Sequence, residues 1–254
     1  MDWLGREGIA MAGTVTSLVA QSDVILSSLA NDQAVRSVYL DKGGVIATAE
    51  PGTIILEMST ISPELSRLMH READKRGINL LDVAISGSTP AVEAGTVTLL
   101  AGGNRGTFDL CTSVFRSIAK QWFLIGPASY GVQMKLVMNL LVGLDMQAIS
   151  EAVSLGEHLQ INRNILLDVL SKTTATPPAI LGKIKNGGYS PEFPLQLMSR
   201  DIDLAMNAAR NSGADLPAAR VAQSVLSSRV SAIGDVDLAA IAPYVTGKRT
   251  RAKV

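Results

Sequence analysis

Hydrophobic and polar positions follow two different patterns along the chain. Up to residue 126, short β-branched and aliphatic runs alternate with amphipathic stretches, which predicts strands alternating with helices. The predicted strands are 23–29, 53–58, 78–86, 96–102 and 121–126, and the predicted helices are 32–40, 63–76 and 105–119. This order is typical of βαβ units, so we expect a largely parallel sheet with some antiparallel pairing near its end.

The pattern changes after Gly126, where strand signals stop. Long helical patterns follow at 131–159, 163–171, 177–186, 194–212 and 216–232, separated by clusters of proline and glycine. We therefore expect an α/β fold followed by an all-α region, with an α/β domain at 1–127 and an all-helical domain at 128–254.

A glycine-rich nucleotide loop is not found where it is expected. A nucleotide-binding α/β domain usually opens with a strand, a G-x-G-x-x-G turn and a helix. Nothing before residue 22 fits this unit, and the cluster "GGNRG" (102–106) has another spacing and follows the fourth strand. We interpret that cluster as a strand-to-helix turn.

Composition and charge exclude several classes of protein. Apolar residues make up 47% and charged residues 18%, as in a soluble globular protein. The 23 basic and 23 acidic residues balance, so we expect neither nucleic acid nor a membrane as a partner. A lone cysteine excludes an intramolecular disulfide, and the two histidines lack metal-ligand spacing. The first residues, "MDWLGREG", lack the basic and apolar regions of a secretory signal. We expect a cytoplasmic protein without a metal site.

The first candidate for chemistry is Lys135, in the segment "GVQMKLVMNLLVGL" (131–144). Lys135 and Asn139 share one face of the predicted helix because they are four residues apart. The rest of the segment is apolar nearly all round, which predicts a buried helix. A buried lysine has a lowered pKa and suits acid/base chemistry, whereas a lysine that reaches the surface from a helix start is the alternative.

Three further segments are candidates for ligand contact. Ser86, Gly87 and Ser88 follow the third strand, and their backbone amides suit an anion unless they form a plain turn. Thr60 also follows a strand end, where it either touches a ligand or satisfies the first amides of the next helix. Arg200 and Asp201 lie inside a predicted helix, and a solvated charge pair is the ordinary interpretation of that dipeptide.

These motifs, in this order, resemble the β-hydroxyacid dehydrogenase family. Its Gly-x3-Lys-x3-Asn pattern matches Gly131, Lys135 and Asn139. Its substrate loop matches Ser86, Gly87, Ala91 and Gly95. Its Ser-Thr-x-x-Pro segment matches Ser59, Thr60 and Pro63, and its cofactor loop matches "SLANDQAVRSV" (28–38). "RDIDLA" (200–205) occupies the place of a Lys-Asp helix and "GDVDLAAI" (234–241) that of the closing segment.

The resemblance implies NAD or NADP as cofactor and a small-molecule hydroxy acid or semialdehyde as substrate. It implies Lys135 as general acid/base, with Ser86, Gly87, Ser88 and Asn139 at the substrate and Leu29, Ala30, Thr60 and Arg200 at the cofactor. Related enzymes are dimers or tetramers, so we expect a homodimer or homotetramer. The chain departs from the pattern at Ser88 and Ser129, where glycines are common, at Ala30, which replaces a proline, and at Arg200, which replaces a lysine.

The resemblance begins inside the family's Rossmann-like nucleotide-binding domain, so we expect that domain to be incomplete at its N-terminal side. Two alternatives stay open at this point. The chain is then either a non-catalytic helical assembly module or part of a protein that begins upstream of Met1.

Overall fold

The computed structural model describes residues 8–172, 178–186, 192–233 and 236–242. Contacts between residues divide the chain into two compact units. Unit 1 comprises Met1–Gly87 and Ala91–Lys135, and unit 2 comprises Ser88–Pro90 and Leu136–Val254. The domain limits inferred from the sequence pattern, 1–127 and 128–254, remain a prediction about which parts fold together.

A five-stranded sheet forms the centre of unit 1. Its strands, in spatial as well as chain order, are β1 (Val24–Ser27), β2 (Ile54–Glu57), β3 (Asn79–Ser86), β4 (Thr98–Gly103) and β5 (Gln121–Gly126). Neighbouring strands are parallel except β3 and β4, which are antiparallel. This arrangement confirms a largely parallel sheet with antiparallel pairing in its later part.

Helices connect these strands, and the longer helices have nearly the bounds that the sequence pattern predicts. They are α1 (Val15–Val19), α2 (Asp32–Leu40), α3 (Val45–Thr48), α4 (Pro63–Asp74), α5 (Thr89–Glu93), α6 (Arg105–Leu110) and α7 (Thr112–Ile118). Ser62 caps α4 and Pro63 is its first residue, which agrees with the predicted start at residue 63. The single predicted helix at 105–119 is wrong in one respect, because the chain leaves helical geometry at Cys111 and forms two helices.

Apolar side chains fill both faces of the sheet. Successive residues of a strand point to opposite faces, and β2 shows this directly: Ile55 packs in one cluster and Leu56 in the other. The first cluster joins the sheet to α2 and α4 through Val35, Leu65 and Met69. Burial on both faces explains why the central strands β2, β3 and β4 are nearly continuous apolar runs in the sequence.

Unit 2 consists of packed helices. They are α8 (Tyr130–His158), α9 (Arg163–Lys172), α10 (Pro178–Asn186), α11 (Leu195–Ser212) and α12 (Pro217–Ile233), followed by a 3₁₀ turn at Leu238–Ala240. The unit boundary falls inside α8, after Lys135. Gly143 lies in the part of α8 that belongs to unit 2, where a Cβ would meet Ile202 Cδ1 at 3.0 Å. The absence of a side chain there lets α8 and α11 pack closely, and the predicted fold class, α/β followed by all-α, is confirmed.

Helix α8 is long and apolar enough to cross a membrane by length and composition alone. Its buried residues include Met146, Ile149 and Val153, which belong to the apolar core of unit 2. Gln147 and Ser150 are buried beside them. Such packing is that of a core helix of a globular protein, so the composition is weak evidence for a membrane span.

Candidate active site

The carboxyl ends of β1 and β2 bring together the segments assigned to the cofactor. The backbone N–H of Leu29 donates to Ser59 Oγ at 2.7 Å, and that of Met58 donates to the Ser27 carbonyl at 2.8 Å. Leu29 and Thr60 are half-buried, and Ala30 is exposed. Three of the four predicted cofactor residues therefore lie on two segments that are hydrogen-bonded to each other.

The helices that begin at this edge have their first amides satisfied by side chains. Asn31 caps α2 by accepting from the Ala34 N–H at 2.9 Å, and Ser62 caps α4 by accepting from the Leu65 N–H at 3.3 Å. The Asp32 carboxylate accepts both the N–H and the O–H of Ser62. Asn31, Asp32 and Ser62 therefore satisfy the backbone groups at the starts of these helices, whereas the Ser59 hydroxyl accepts a hydrogen bond from Leu29.

Glu57 is a buried carboxyl group below this edge that sequence reasoning missed. Its side chain is 1% exposed, and Oε1 accepts the N–H of Ser59 at 3.0 Å. Burial raises the pKa of Glu57 to about 7; the hydrogen bonds from Ser59 oppose that shift and the neighbouring Asp82 carboxylate adds to it. The signal in the sequence was a glutamate at the end of an otherwise apolar strand.

The predicted substrate loop begins at the last residue of β3. Ser86 pairs with Thr98 of β4, and both Ser86 and Ser88 are half-buried. A Cβ on Gly87 would lie 2.7 Å from Val97 Cγ1, so this position requires glycine. Ser86 and Gly87 belong to unit 1 and Ser88 to unit 2. The loop also contains the one-turn helix α5, which the pattern did not predict.

Lys135 is buried, with only 8% of its surface exposed, in the second turn of α8. The start of that helix lies directly against β3 and β4: a Cβ on Gly131 would meet the Leu100 carbonyl oxygen at 2.3 Å and the Asp82 carbonyl oxygen at 2.6 Å. Burial is therefore the observed state of this lysine, and a position at the surface is not. The glycine of the Gly-x3-Lys-x3-Asn motif therefore has a packing role, because it lets the start of α8 lie against the two strands.

Asp82 holds the first turn of α8. Its Oδ1 accepts the Ser129 N–H at 2.7 Å, and its Oδ2 accepts the Val132 N–H at 2.9 Å. His70 Nε2 lies 2.9 Å from Oδ1. Asp82 is 1% exposed, so a carboxylate inside a buried strand is satisfied by three hydrogen-bonding partners. Sequence reasoning missed this residue, although a charged residue within "LLDVAI" was a signal for a buried partner.

In unit 2, Asn139 is tied to a buried carboxylate. Its Nδ2 donates to Asp201 Oδ2 at 2.6 Å. Arg200 donates to Asp201 Oδ1 from Nε at 3.2 Å and from Nη2 at 2.9 Å. Asn139 and Asp201 are 4% and 1% exposed, so the Arg200–Asp201 dipeptide is not the solvated pair that its sequence context suggested. Asp201 orients Asn139, a role that sequence reasoning missed.

Two family models together match nearly the whole chain. One, described as the NAD binding domain of 6-phosphogluconate dehydrogenase, matches residues 1–126, and the other, described as NAD-binding of NADP-dependent 3-hydroxyisobutyrate dehydrogenase, matches residues 129–245. The chain belongs to the β-hydroxyacid dehydrogenase family. By family, it is an NAD(P)-dependent oxidoreductase of the 3-hydroxyacid dehydrogenase type.

Individual members of the β-hydroxyacid dehydrogenase family agree with this placement. The 2-(hydroxymethyl)glutarate dehydrogenase of Eubacterium barkeri is 30% identical, over 88% of this chain and 76% of its own length. The NAD-dependent L-serine dehydrogenase of Pseudomonas aeruginosa is 31% identical, over 89% and 79%. The structure of Mycobacterium tuberculosis 3-hydroxyisobutyrate dehydrogenase with L-serine superposes with a TM-score of 0.85 at 27% identity, covering 97% of this chain and 86% of that one.

Proposed function

We propose that the chain interconverts a small 3-hydroxy acid and its semialdehyde or keto form, with Lys135 as general acid/base. The observation that carries the proposal is a buried lysine on a helix whose first turn is fixed to the sheet by Asp82. A lysine that is held in place, rather than mobile at the surface, meets the geometric requirement for proton transfer. The family membership supplies the reaction type.

Lys135 has one task in this proposal. In the oxidation direction its neutral amine accepts the proton of the substrate hydroxyl, and in the reduction direction its ammonium returns a proton to the carbonyl oxygen. When bound, the nicotinamide cofactor accepts or supplies the hydride. Burial supports this assignment because desolvation favours the neutral amine, and an acid/base group works best when its pKa lies near the working pH.

The substrate class follows from what the relatives' names share. 2-(Hydroxymethyl)glutarate, L-serine and 3-hydroxyisobutyrate each carry a carboxylate and a hydroxyl group on the β-carbon. We assign the carboxylate to Ser86, Gly87 and Ser88, whose hydroxyl and amide groups donate hydrogen bonds to an anion. Asn139 orients the substrate, and the Asp201 carboxylate holds its amide in one rotamer.

The carboxyl edge of β1 and β2 fits a contact with NAD or NADP. Exposed Ala30 and half-buried Leu29 and Thr60 present main-chain, apolar and hydroxyl groups there. The hydrogen bond between Leu29 and Ser59 keeps the two segments together without a ligand. Arg200 remains a proposed cofactor contact, although its Nε and Nη2 donate to Asp201.

Steady-state assays with NAD+ and NADP+ against 3-hydroxyisobutyrate and L-serine test this function. Lys135→Ala should lower kcat by about 100- to 10,000-fold while the Kd for NADH changes little. Lys120→Ala is the matched control, since Lys120 is exposed and lies outside the site, and its kcat should equal that of the wild type. Near-normal turnover by Lys135→Ala removes the assignment, and the lack of saturable NADH or NADPH binding by the wild type favours the assembly-module alternative.

We propose that the chain also assembles with copies of itself, as a homodimer or homotetramer in the cytoplasm. Unit 2 exposes apolar side chains on one stripe of α8 and on the next helix: Val137, Leu141, Leu155, Ile165 and Val169 are 54–61% exposed. Exposed apolar side chains of this kind suit a two-fold contact, in which the same surface serves both subunits. Sedimentation equilibrium should give a smaller assembly mass for Leu141→Glu than for the wild-type protein. A monomeric mass for the wild-type protein contradicts the proposal.

A further inference from the structure

The first turn of α8 is capped by a residue far away in the sequence. Backbone N–H groups at the start of a helix lack partners within the helix, and a nearby side chain usually satisfies them. Here the carboxylate of Asp82 does so through Ser129 and Val132, which are 47 and 50 residues further along the chain. The cap therefore also fastens the helix to β3.

Two glycines make room for this contact. A Cβ on Gly102, which pairs with Asp82 across β3 and β4, would lie 2.7 Å from Asp82 Oδ1 and 2.7 Å from the Gly131 nitrogen. A Cβ on Gly131 would meet the backbone of both strands. The carboxylate and the helix start thus occupy space that any larger residue at these two positions would fill.

Lys135 lies within reach of this arrangement. It follows Val132 by three residues, a rise of about 4.5 Å along a helix axis. The Cα–Cβ bond of a helical residue tilts toward the N-terminus, so the Lys135 side chain leaves the backbone on the side of the capped turn. The charged and titratable groups around the carboxylate are His70 on α4, Glu57 on β2, and Arg67, which donates to Ser129 Oγ at 3.3 Å.

We propose that Asp82 is a positioning residue for Lys135, which sets both the place of its amine and the charge that the amine experiences. The carboxylate fixes the helix turn, and its negative charge offsets the positive end of the helix dipole beside the ammonium group. This inference rests on the proposed acid/base role of Lys135 in the reaction, but the electrostatic coupling of the two side chains exists with or without turnover.

The test compares three variants by two measurements. The first is the pH at the midpoint of the kcat/KM profile. The second is competitive acetylation of the Lys135 amine across pH in the ligand-free chain, read by mass spectrometry. Asp82→Asn removes the charge, Gly131→Ala displaces the same helix turn without changing a charge, and His70→Asn removes the imidazole but leaves both helix bonds.

Asp82→Asn should move both midpoints to lower pH by about one unit, as expected for a lost charge roughly 10 Å away at an effective dielectric constant of about 20. Gly131→Ala should lower kcat without moving either midpoint, and His70→Asn should leave both midpoints in place. Equal midpoints in Asp82→Asn and the wild type overturn the inference.

The inference about Asp82 can be tested even if the proposed reaction fails or if Asp82→Asn does not fold. If the chain shows no dehydrogenase activity, the acetylation profile still tests the coupling, so the failure of the proposed function is seen separately. If Asp82→Asn does not fold, hydrogen exchange in the native chain tests whether Asp82 caps the first turn of α8. The Ser129 and Val132 amides should exchange slowly, and rapid exchange at Val132 refutes the cap.

Discussion

Replacement of Glu57 by glutamine should change how the stability of the protein depends on pH. The folded protein holds this carboxyl group buried with a pKa of about 7, whereas its ordinary value is 4.5. Between these two pH values the folded state keeps a proton that the unfolded state has released. Stability therefore falls as pH rises through this window, and the loss is complete above pH 7.

The size of the effect follows from the shift. The difference between 4.5 and 7 corresponds to about 3 kcal/mol of unfolding free energy, at about 1.4 kcal/mol for each pH unit. Glutamine has the same shape and stays neutral, and its carbonyl oxygen can still accept the Ser59 N–H. Glu57→Gln should therefore lack this pH-dependent loss, and its advantage over the wild type should be larger at pH 8 than at pH 5 by about 2.5 kcal/mol, because part of the loss has already occurred at pH 5.

Urea denaturation followed by circular dichroism, at half-unit steps from pH 5 to 8, measures this difference. Glu50→Gln is a suitable control because Glu50 is exposed, and its curve should run parallel to that of the wild type. Parallel curves for the wild type and Glu57→Gln would refute the reasoning, since they would show that the buried carboxyl group is ionised throughout the range.

Two further substitutions probe the packing around the proposed site. Gly131→Ala should lower the unfolding free energy by about 1–3 kcal/mol, because its Cβ meets two strand carbonyl groups. The control is Gly182→Ala in α10, where a Cβ meets nothing within 4 Å. It should be neutral or stabilising by up to about 1 kcal/mol in the same urea titration. Asp201→Asn should cost about 2 kcal/mol of stability and raise KM more than it lowers kcat, because Asn139 loses its charged acceptor. Asp203→Asn, two residues further along α11, only removes the charge from a partly buried acceptor of Gln223 and should leave KM unchanged.

Much of the fold was predictable because the central strands β2, β3 and β4 are buried on both faces. The five strands lie within two residues of their predicted bounds, since continuous apolar runs are easily distinguished from the polar segments that connect them. The helices α1, α3 and α5 were missed because four or five residues are too few to show a helical period. The break at Cys111 was missed because no proline or glycine marks it.

The candidate site was predictable only where it is local in sequence. Lys135 and Asn139 share a motif, so the spacing alone places them on one helix face. Asp82 was beyond reach because its partners are the backbone amides of Ser129 and Val132, and a hydrophobic pattern contains no information on which amides a distant strand meets. The same holds for Asp201, whose link to Asn139 depends on how α8 packs against α11.

The reversal of direction between β3 and β4 makes the proposed substrate loop a direct connection between two adjacent strands. Ser86 and Thr98 face each other across the antiparallel pair, so the segment between them leaves and re-enters the sheet at the same edge. A change in its length or composition need not shift the register of any strand. Segment 87–97 can therefore be exchanged as a cassette with that of a relative, and a chimera of this kind should alter which hydroxy acid is accepted while the sheet and the lysine helix keep their places.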